Sequence, residues 1–116
     1  MAAAYASSKA AVANHTKSVA LYCAGKKYNI RCNALAPGAI LTPMWEEMLG
    51  SETSKREQMI KQISKDIPLG FMGSDLDVAY VALFLASDES RYITGSVIFI
   101  DGGIMAGSSA SVQQYE

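Results

Sequence analysis

The sequence predicts an α/β fold built on a parallel sheet, and three stretches predict it. An alanine-rich segment from about Ala4 to Lys26 holds no proline, and no glycine before Gly25. A short mixed run, Ile30 to Ala36, stops at Pro37-Gly38. A continuous β-branched and aromatic run, "SVIFIDGG", closes the ordered part of the chain. Helical and strand patterns alternate, as in α/β architectures. Only about two strands are visible, and two strands alone make a marginal sheet. The first helix also precedes its strand with nothing in front of it. The expectation is therefore the C-terminal portion of a larger α/β domain.

Each element has its own grounds. In the first segment Val12, Val19, Ala20 and Cys23 recur at helical spacing,. Its alanines let a neighbouring helix or sheet approach closely. Gly25, Lys26 and Lys27 suit the end of this helix, with cations at the negative pole of its dipole. Ile30 to Ala36 reads as a strand ended by a Pro-Gly turn. In "ILTPMWEEMLG" Thr42 can cap a helix, Pro43 suits its first position, and Glu46 and Glu47 favour its positive end,. Gly50 ends that piece. Ser54 to Asp66 is a further helix whose Met59, Ile60 and Ile63, followed by Ile67, form a stripe,. Ser74 and Asp77 resemble a capping box, with Asp in place of Glu or Gln. The helix behind them, to about Ala86, is apolar nearly all round and is expected to be buried. "SVIFIDGG" has the pattern of a parallel strand buried on both faces. Residues 106–116 read as a flexible tail.

Composition narrows the function classes. Of 116 residues half are hydrophobic and 18% charged, which describes a globular chain of one domain,. Ten basic against eleven acidic residues give a net charge of -1, so no basic field exists to hold nucleic acid,. No apolar run approaches the ~18 residues of a membrane span, and no secretory signal is visible. Cys23 and Cys32 lack the paired spacing of a zinc site and read as buried thiols in a reducing, cytoplasmic setting. His15 has no second ligand at metal spacing and reads as a plain helix residue, so no metal site is expected.

The chemistry-bearing pair is Tyr5 and Lys9 in "AAAYASSKAAV". Residues four apart share one helix face. A phenol titrates near ~10, and a nearby ammonium favours its charged form. Such a tyrosine can give or take a proton at an alcohol or carbonyl oxygen. By itself the spacing equally describes a surface tyrosine and a solvated lysine. Ser7 and Ser8 have no base partner for a nucleophilic role. Asn33 suits a structural bond beside the strand end. Asp101-Gly102-Gly103 suits a strand end rather than a phosphate loop.

Three ordered stretches together, "YASSKAAV", "NALAPGAILTPM" and "LFLASDESRYITGSVIFIDGG", resemble the short-chain dehydrogenase/reductase family from about Ala4 to Gly103. Within it, "YNIRCN" and "TPM" most resemble bacterial hydroxysteroid and cyclic-alcohol dehydrogenases. The resemblance implies a Rossmann-like doubly wound parallel sheet, with residues 1–105 belonging to a dinucleotide-binding dehydrogenase domain. It implies that Tyr5 is the catalytic acid/base, and that Lys9 tunes it and holds the nicotinamide ribose. Pro37 and Gly38 would form the turn under the nicotinamide. The Ile40 backbone would meet the carboxamide, and Thr42 would lie near the carboxamide and phosphates. Residues 39–70 would form a mobile substrate lid, with Ala39, Met44, Trp45 and Met48 at the substrate and Leu49 beside them. Gly38 can equally serve a tight turn, Thr42 a cap, and Met44, Trp45 and Met48 ordinary packing. The implied cofactor is NAD or NADP, with NAD favoured. The implied partners are an apolar alcohol or ketone, cyclic or steroid-like in body, and further copies of the chain in a dimer or tetramer, with no nucleic acid and no membrane.

The sequence also departs from the family's pattern. No glycine-rich turn precedes Tyr5 to receive a pyrophosphate. Only four residues precede Tyr5, so the family's serine about a dozen residues before its tyrosine has no counterpart. The residue that selects NAD over NADP is likewise missing. Two expectations follow. In one, the chain is the C-terminal portion of a nicotinamide-dependent alcohol dehydrogenase or ketone reductase. In the other, it is a non-catalytic remnant that acts as an association module, for which an unpaired strand edge would be suited.

Overall fold

A computed structural model describes residues 2–107, with no account of the Ala2 side chain. The chain divides into two compact units: residues 2–36 with 81–98, and residues 37–80 with 99–107. Helix α1 (Ala2–Gly25) is followed by strand β1 (Ala34–Pro37), a 3-10 turn (Pro43–Trp45), and helices α2 (Glu46–Leu49), α3 (Thr53–Ser64) and α4 (Asp75–Ala86). A second 3-10 turn (Asp88–Ser90), strand β2 (Val97–Ile100) and a third (Ile104–Ala106) complete the order. The predicted tail falls on these last residues only in part. Ala106 closes the third turn by donating to Gly103 O at 2.9 Å, and residues 108–116 lie outside the described residues.

The two strands form one sheet. Its direction is legible in two bonds: Ala34 N–H donates to Ser96 O, and Gly38 N–H to Ile100 O. The partners advance together, so the pair is parallel. The α/β class and parallel pairing agree with the expectation. The first strand is shorter than predicted. Within the predicted run, Arg31 and Asn33 make their bonds through side chains rather than a ladder. The second strand does not reach the burial expected: β2 is half-buried and Phe99 is 53% exposed.

In the first unit, α1 buries a narrow stripe, Thr16, Ala20 and Cys23. Val12, expected on that stripe, lies 59% exposed. The closeness that alanine permits is visible at Gly95, where an added Cβ would sit 3.5 Å from Ala20 Cβ. The helix ends at Gly25, as expected. Lys27 (φ 57°) takes the left-handed position, its N–H bonds Ala24 O, and Tyr28 N–H bonds Cys23 O. These are the paired bonds of a Schellman end, so a lysine holds the place where glycine is usual. Cys23 is buried but Cys32 only half-buried, and both are free thiols.

A polar cluster missing from the sequence reading holds residues 85–96. The Arg31 guanidinium donates to the carbonyls of Leu85 (2.8 Å), Ser87 (3.0 Å) and Ile93 (3.4 Å), so a cation closes the carbonyl end of α4,. Fully buried Ser90 donates to Leu85 O and Ser87 O. Asn33 has the structural role expected: its amide donates to Ile93 O, and its oxygen accepts Ser96 N–H.

In the second unit Ile40, Leu49 and Ile67 are the buried apolar residues. Gly102 (φ 65°) lies against Ile67, where a Cβ would come within 2.5 Å of its Cγ2. Leu69 N–H donates to Gly102 O, tying the loop after α3 to the end of β2. Arg56 on α3 grips Glu46 on α2 with two bonds, 2.6 and 2.8 Å. That bond holds the Glu46 carboxyl below the usual carboxylate range. Thr42 does not cap through its hydroxyl. It is extended, and its carbonyl takes the Trp45 N–H that a side-chain cap would need. The Ser74–Asp77 box forms as expected.

The expectation of a buried α4 is overturned. Leu76, Tyr80 and Leu83 are 56%, 65% and 68% exposed. Two short strands offer too little surface to cover a helix that is apolar all round.

Candidate active site

Tyr5 and Lys9 belong to the first unit, and Pro37 to Met48 to the second. On α1 the helical repeat places Tyr5 and Lys9 one turn apart. The Lys9 ammonium lies over the Tyr5 ring, 5.4 Å from its centroid, a cation–π arrangement,. Tyr5 is 67% exposed, so its hydroxyl is open to a reactant. Ser8 turns back, its hydroxyl donating to Tyr5 O at 2.7 Å. His15 is exposed on the same helix. Among the described residues no three His, Cys, Asp or Glu side chains gather as metal ligands, and no helix is long and apolar enough to cross a membrane.

In the second unit, Pro37 ends β1, and the next residue, Gly38, still donates its N–H to Ile100 O at 3.0 Å. Gly38 has no left-handed φ. Its need for glycine is one of space, because a Cβ would stand 2.8 Å from the Cα and Cβ of Asp101. The Asp101 carboxylate in turn accepts the N–H groups of Gly103 and Met105, both at 2.9 Å. Asp101-Gly102-Gly103 is thus a capped strand end.

Ile40 pairs with Gly73 in a parallel bridge: Leu41 N–H donates to Gly73 O (2.8 Å), and Gly73 N–H to Ala39 O (2.9 Å). In such a bridge the peptide groups of the central residue point the other way. Among the described residues none takes the Ile40 N–H or C=O, although Ile40 is only 8% exposed. Buried backbone groups are nearly always paired, so this donor and acceptor are available to a ligand. A primary amide, with one carbonyl and an NH2, fits that set.

A hollow of about 320 Å³ opens beside this bridge. Ala39, Ile40, Ile67, Phe71 and Phe99 make its walls largely apolar, and Asp77 brings one carboxylate. Of the residues expected at the substrate, Ala39 lines it. Met44 (88% exposed) and Met48 (52%) face outward, and Trp45 is half-buried. The walls from Ile67 to Gly73 were not expected from the sequence. The only signal was the apolar "IPLGFMG" loop, which gives no direction to its side chains.

A family model described as Enoyl-(Acyl carrier protein) reductase matches residues 1–105. The NADP-dependent (R)-specific alcohol dehydrogenase of Lentilactobacillus kefiri is 42% identical over 103 residues, 89% of this chain and 38% of that protein. The 3-oxoacyl-[acyl-carrier-protein] reductase FabG of Thermotoga maritima is 50% identical over 101 residues, 87% of this chain and 37% of that one. Among solved structures, an oxidoreductase of the short chain dehydrogenase/reductase family from Burkholderia thailandensis matches with a TM-score of 0.82 at 35% identity. That match covers 97% of this chain and 42% of the other. The chain thus spans under two fifths of the length of these curated relatives.

Proposed function

We propose, since the chain belongs to the short-chain dehydrogenase/reductase family, that it carries the proton-transfer half of a nicotinamide-dependent alcohol dehydrogenase or ketone reductase. The observation that carries the proposal is the Tyr5–Lys9 pair: an exposed phenol with an ammonium over its ring on one helix face. When bound, a nicotinamide dinucleotide, NAD or NADP, accepts or supplies the hydride at the substrate carbon. The chain's own residues do the rest. In the oxidative direction Tyr5 takes the proton of the substrate hydroxyl as the carbonyl forms, and in reduction it returns that proton to the oxygen. Lys9 steadies the charged phenol and holds ribose hydroxyls. The Ile40 N–H and C=O hold the carboxamide, Pro37 and Gly38 form the turn beneath the ring, and Thr42 offers its unengaged hydroxyl nearby.

The substrate class is a secondary alcohol or ketone with an apolar body. The apolar walls of the hollow and the exposed Met44 and Met48 support it. The resemblance of "YNIRCN" and "TPM" favours a cyclic or steroid-like body. Residues 39–70 act as the lid over that substrate, and the protein works as a dimer or tetramer in the cytoplasm. The deciding experiment pairs nicotinamide fluorescence titration with turnover. Tyr5→Phe should lower kcat by about 10²- to 10⁴-fold and leave dinucleotide affinity unchanged. Retained turnover overturns the role of Tyr5.

A second reading, a non-catalytic association module, is favoured by one observation, the apolar face of α4 left open at Tyr80 and Leu83,. Sedimentation distinguishes it: a module forms stable oligomers yet binds neither NADH nor NADPH.

A further inference from the structure

The direction of the Ile40 peptide groups is set by a chain of contacts that ends 37 positions later, at Asp77. Gly73 is held twice. Its N–H and C=O both bond the segment 39–41, and a Cβ on it would stand 2.7 Å from Ile40 Cδ1. The next residue, Ser74, is held twice as well. Its N–H (2.6 Å) and its hydroxyl (2.8 Å) both donate to Asp77 Oδ2. Asp77 N–H returns to the Ser74 hydroxyl at 3.4 Å. The backbone N–H of Ser74, then its hydroxyl, hold the Asp77 carboxyl below the usual carboxylate range, so it is charged at neutral pH,. Asp77, Gly73 and Ile40 line the same hollow.

Resting on the reading of Ile40 as the carboxamide-facing position, we propose that Asp77 and Ser74 are positioning residues for the dinucleotide. The box fixes Ser74, Ser74 fixes the exit of the chain from Gly73, and the bridge fixes which way the Ile40 N–H and C=O face. A box that only started α4 would stabilise the helix and leave both the bridge and dinucleotide affinity untouched.

The test follows amide hydrogen exchange at Leu41 and Gly73 by NMR, with Arg56 N–H in α3 as internal reference, and titrates NADH and NADPH by fluorescence. Asp77→Ala should speed exchange at Leu41 and Gly73, not at Arg56, and weaken dinucleotide binding on the order of tenfold, the worth of one net hydrogen bond. Asp77→Glu, which keeps the carboxylate, should recover most of both. Should Asp77→Ala not fold, Gly73→Ala carries the test: its Cβ drives Ile40 Cδ1 away and weakens binding, and Ile40→Val, lacking that carbon, should restore it in the double variant. Unchanged exchange at Leu41 and Gly73 in Asp77→Ala overturns the relay whatever the affinity. Faster exchange with unaltered affinity overturns the positioning role. A wild-type protein that binds neither dinucleotide removes the reading of Ile40 and the inference with it, while the exchange data still report on the relay separately.

Discussion

The ammonium of Lys9 stands 5.4 Å from the ring centroid of Tyr5, over the face of the ring. A cation there acts on the phenol through the face of its ring. On the proposed reading, in which Lys9 also holds the ribose, Lys9→Met should cost turnover at saturating cofactor and weaken dinucleotide binding. Lys9→Arg keeps the cation over the ring and should recover turnover more than Lys9→Met does. Steady-state kinetics with cofactor and substrate varied separately measures both effects. Equal activities of the Met and Arg variants would remove charge from the account.

Glu46 and Arg56 join a four-residue helix to a twelve-residue one. One helical turn is unstable alone, so α2 depends on this grip and on buried Leu49,. Trp45, the single tryptophan, is the residue before Glu46 and reports its surroundings by emission. Glu46→Gln should shift that emission. The folded carboxyl titrates below its ordinary value because of Arg56. Its stabilising effect is complete above the ordinary carboxylate range and is lost as pH falls through the lowered value. Acid should thus reproduce the Gln spectrum, and the Gln variant should lack that acid transition.

Arg31 serves three carbonyls at once, which a shorter or rounder donor cannot do,. Arg31→Met leaves the half-buried end of α4 without its donor. It should lower unfolding free energy by about 1–3 kcal/mol, read from the urea midpoint at constant m-value. Arg31→Lys should recover part of the loss. A midpoint within error of wild type in the Met variant would mean that water replaces the guanidinium at no cost.

Two glycines should respond with opposite signs. An added Cβ at Gly38 meets backbone and Cβ of Asp101 at 2.8 Å, and neither can yield. Gly38→Ala should destabilise by roughly 1–3 kcal/mol. Gly25 lies inside α1 with nothing within 4 Å of its Cβ position. Gly25→Ala should stabilise by about 0.5–1 kcal/mol through the unfolded chain. Thermal denaturation of the two variants under one buffer checks both signs.

What the sequence revealed of the fold followed local physics. The long helix, the Ser74–Asp77 box and the Pro37 stop depend on neighbours a few residues away, and each is where its residues put it. Where the reading failed, the deciding partner was distant or the backbone took an unusual course. The helix ends at Gly25 as its residues suggest, but the left-handed place in its Schellman end falls to Lys27, a residue type that does not announce it. The Thr42 hydroxyl lost its capping role to its own carbonyl. Burial of α4 and β2 was inferred from apolar content alone, and content does not state how much surface stands opposite. At the candidate site, Tyr5 and Lys9 were legible as a pair because a helix makes i and i+4 neighbours. The Ile40–Gly73 bridge was not, because nothing in either residue type announces a partner 33 positions away.

The Asn33 contacts set a condition on the order of folding. Asn33 meets Ile93 and Ser96 at separations of 60 and 63 residues, just before the ladder between β1 and β2 begins. Closing a loop of that length costs roughly 3–4 kcal/mol of chain entropy beyond a constant. Two four-residue strands return little of that by themselves. The pairing is therefore a late event that waits on the helices between, and a side-chain amide, rather than the strands' own apolar pattern, selects its register.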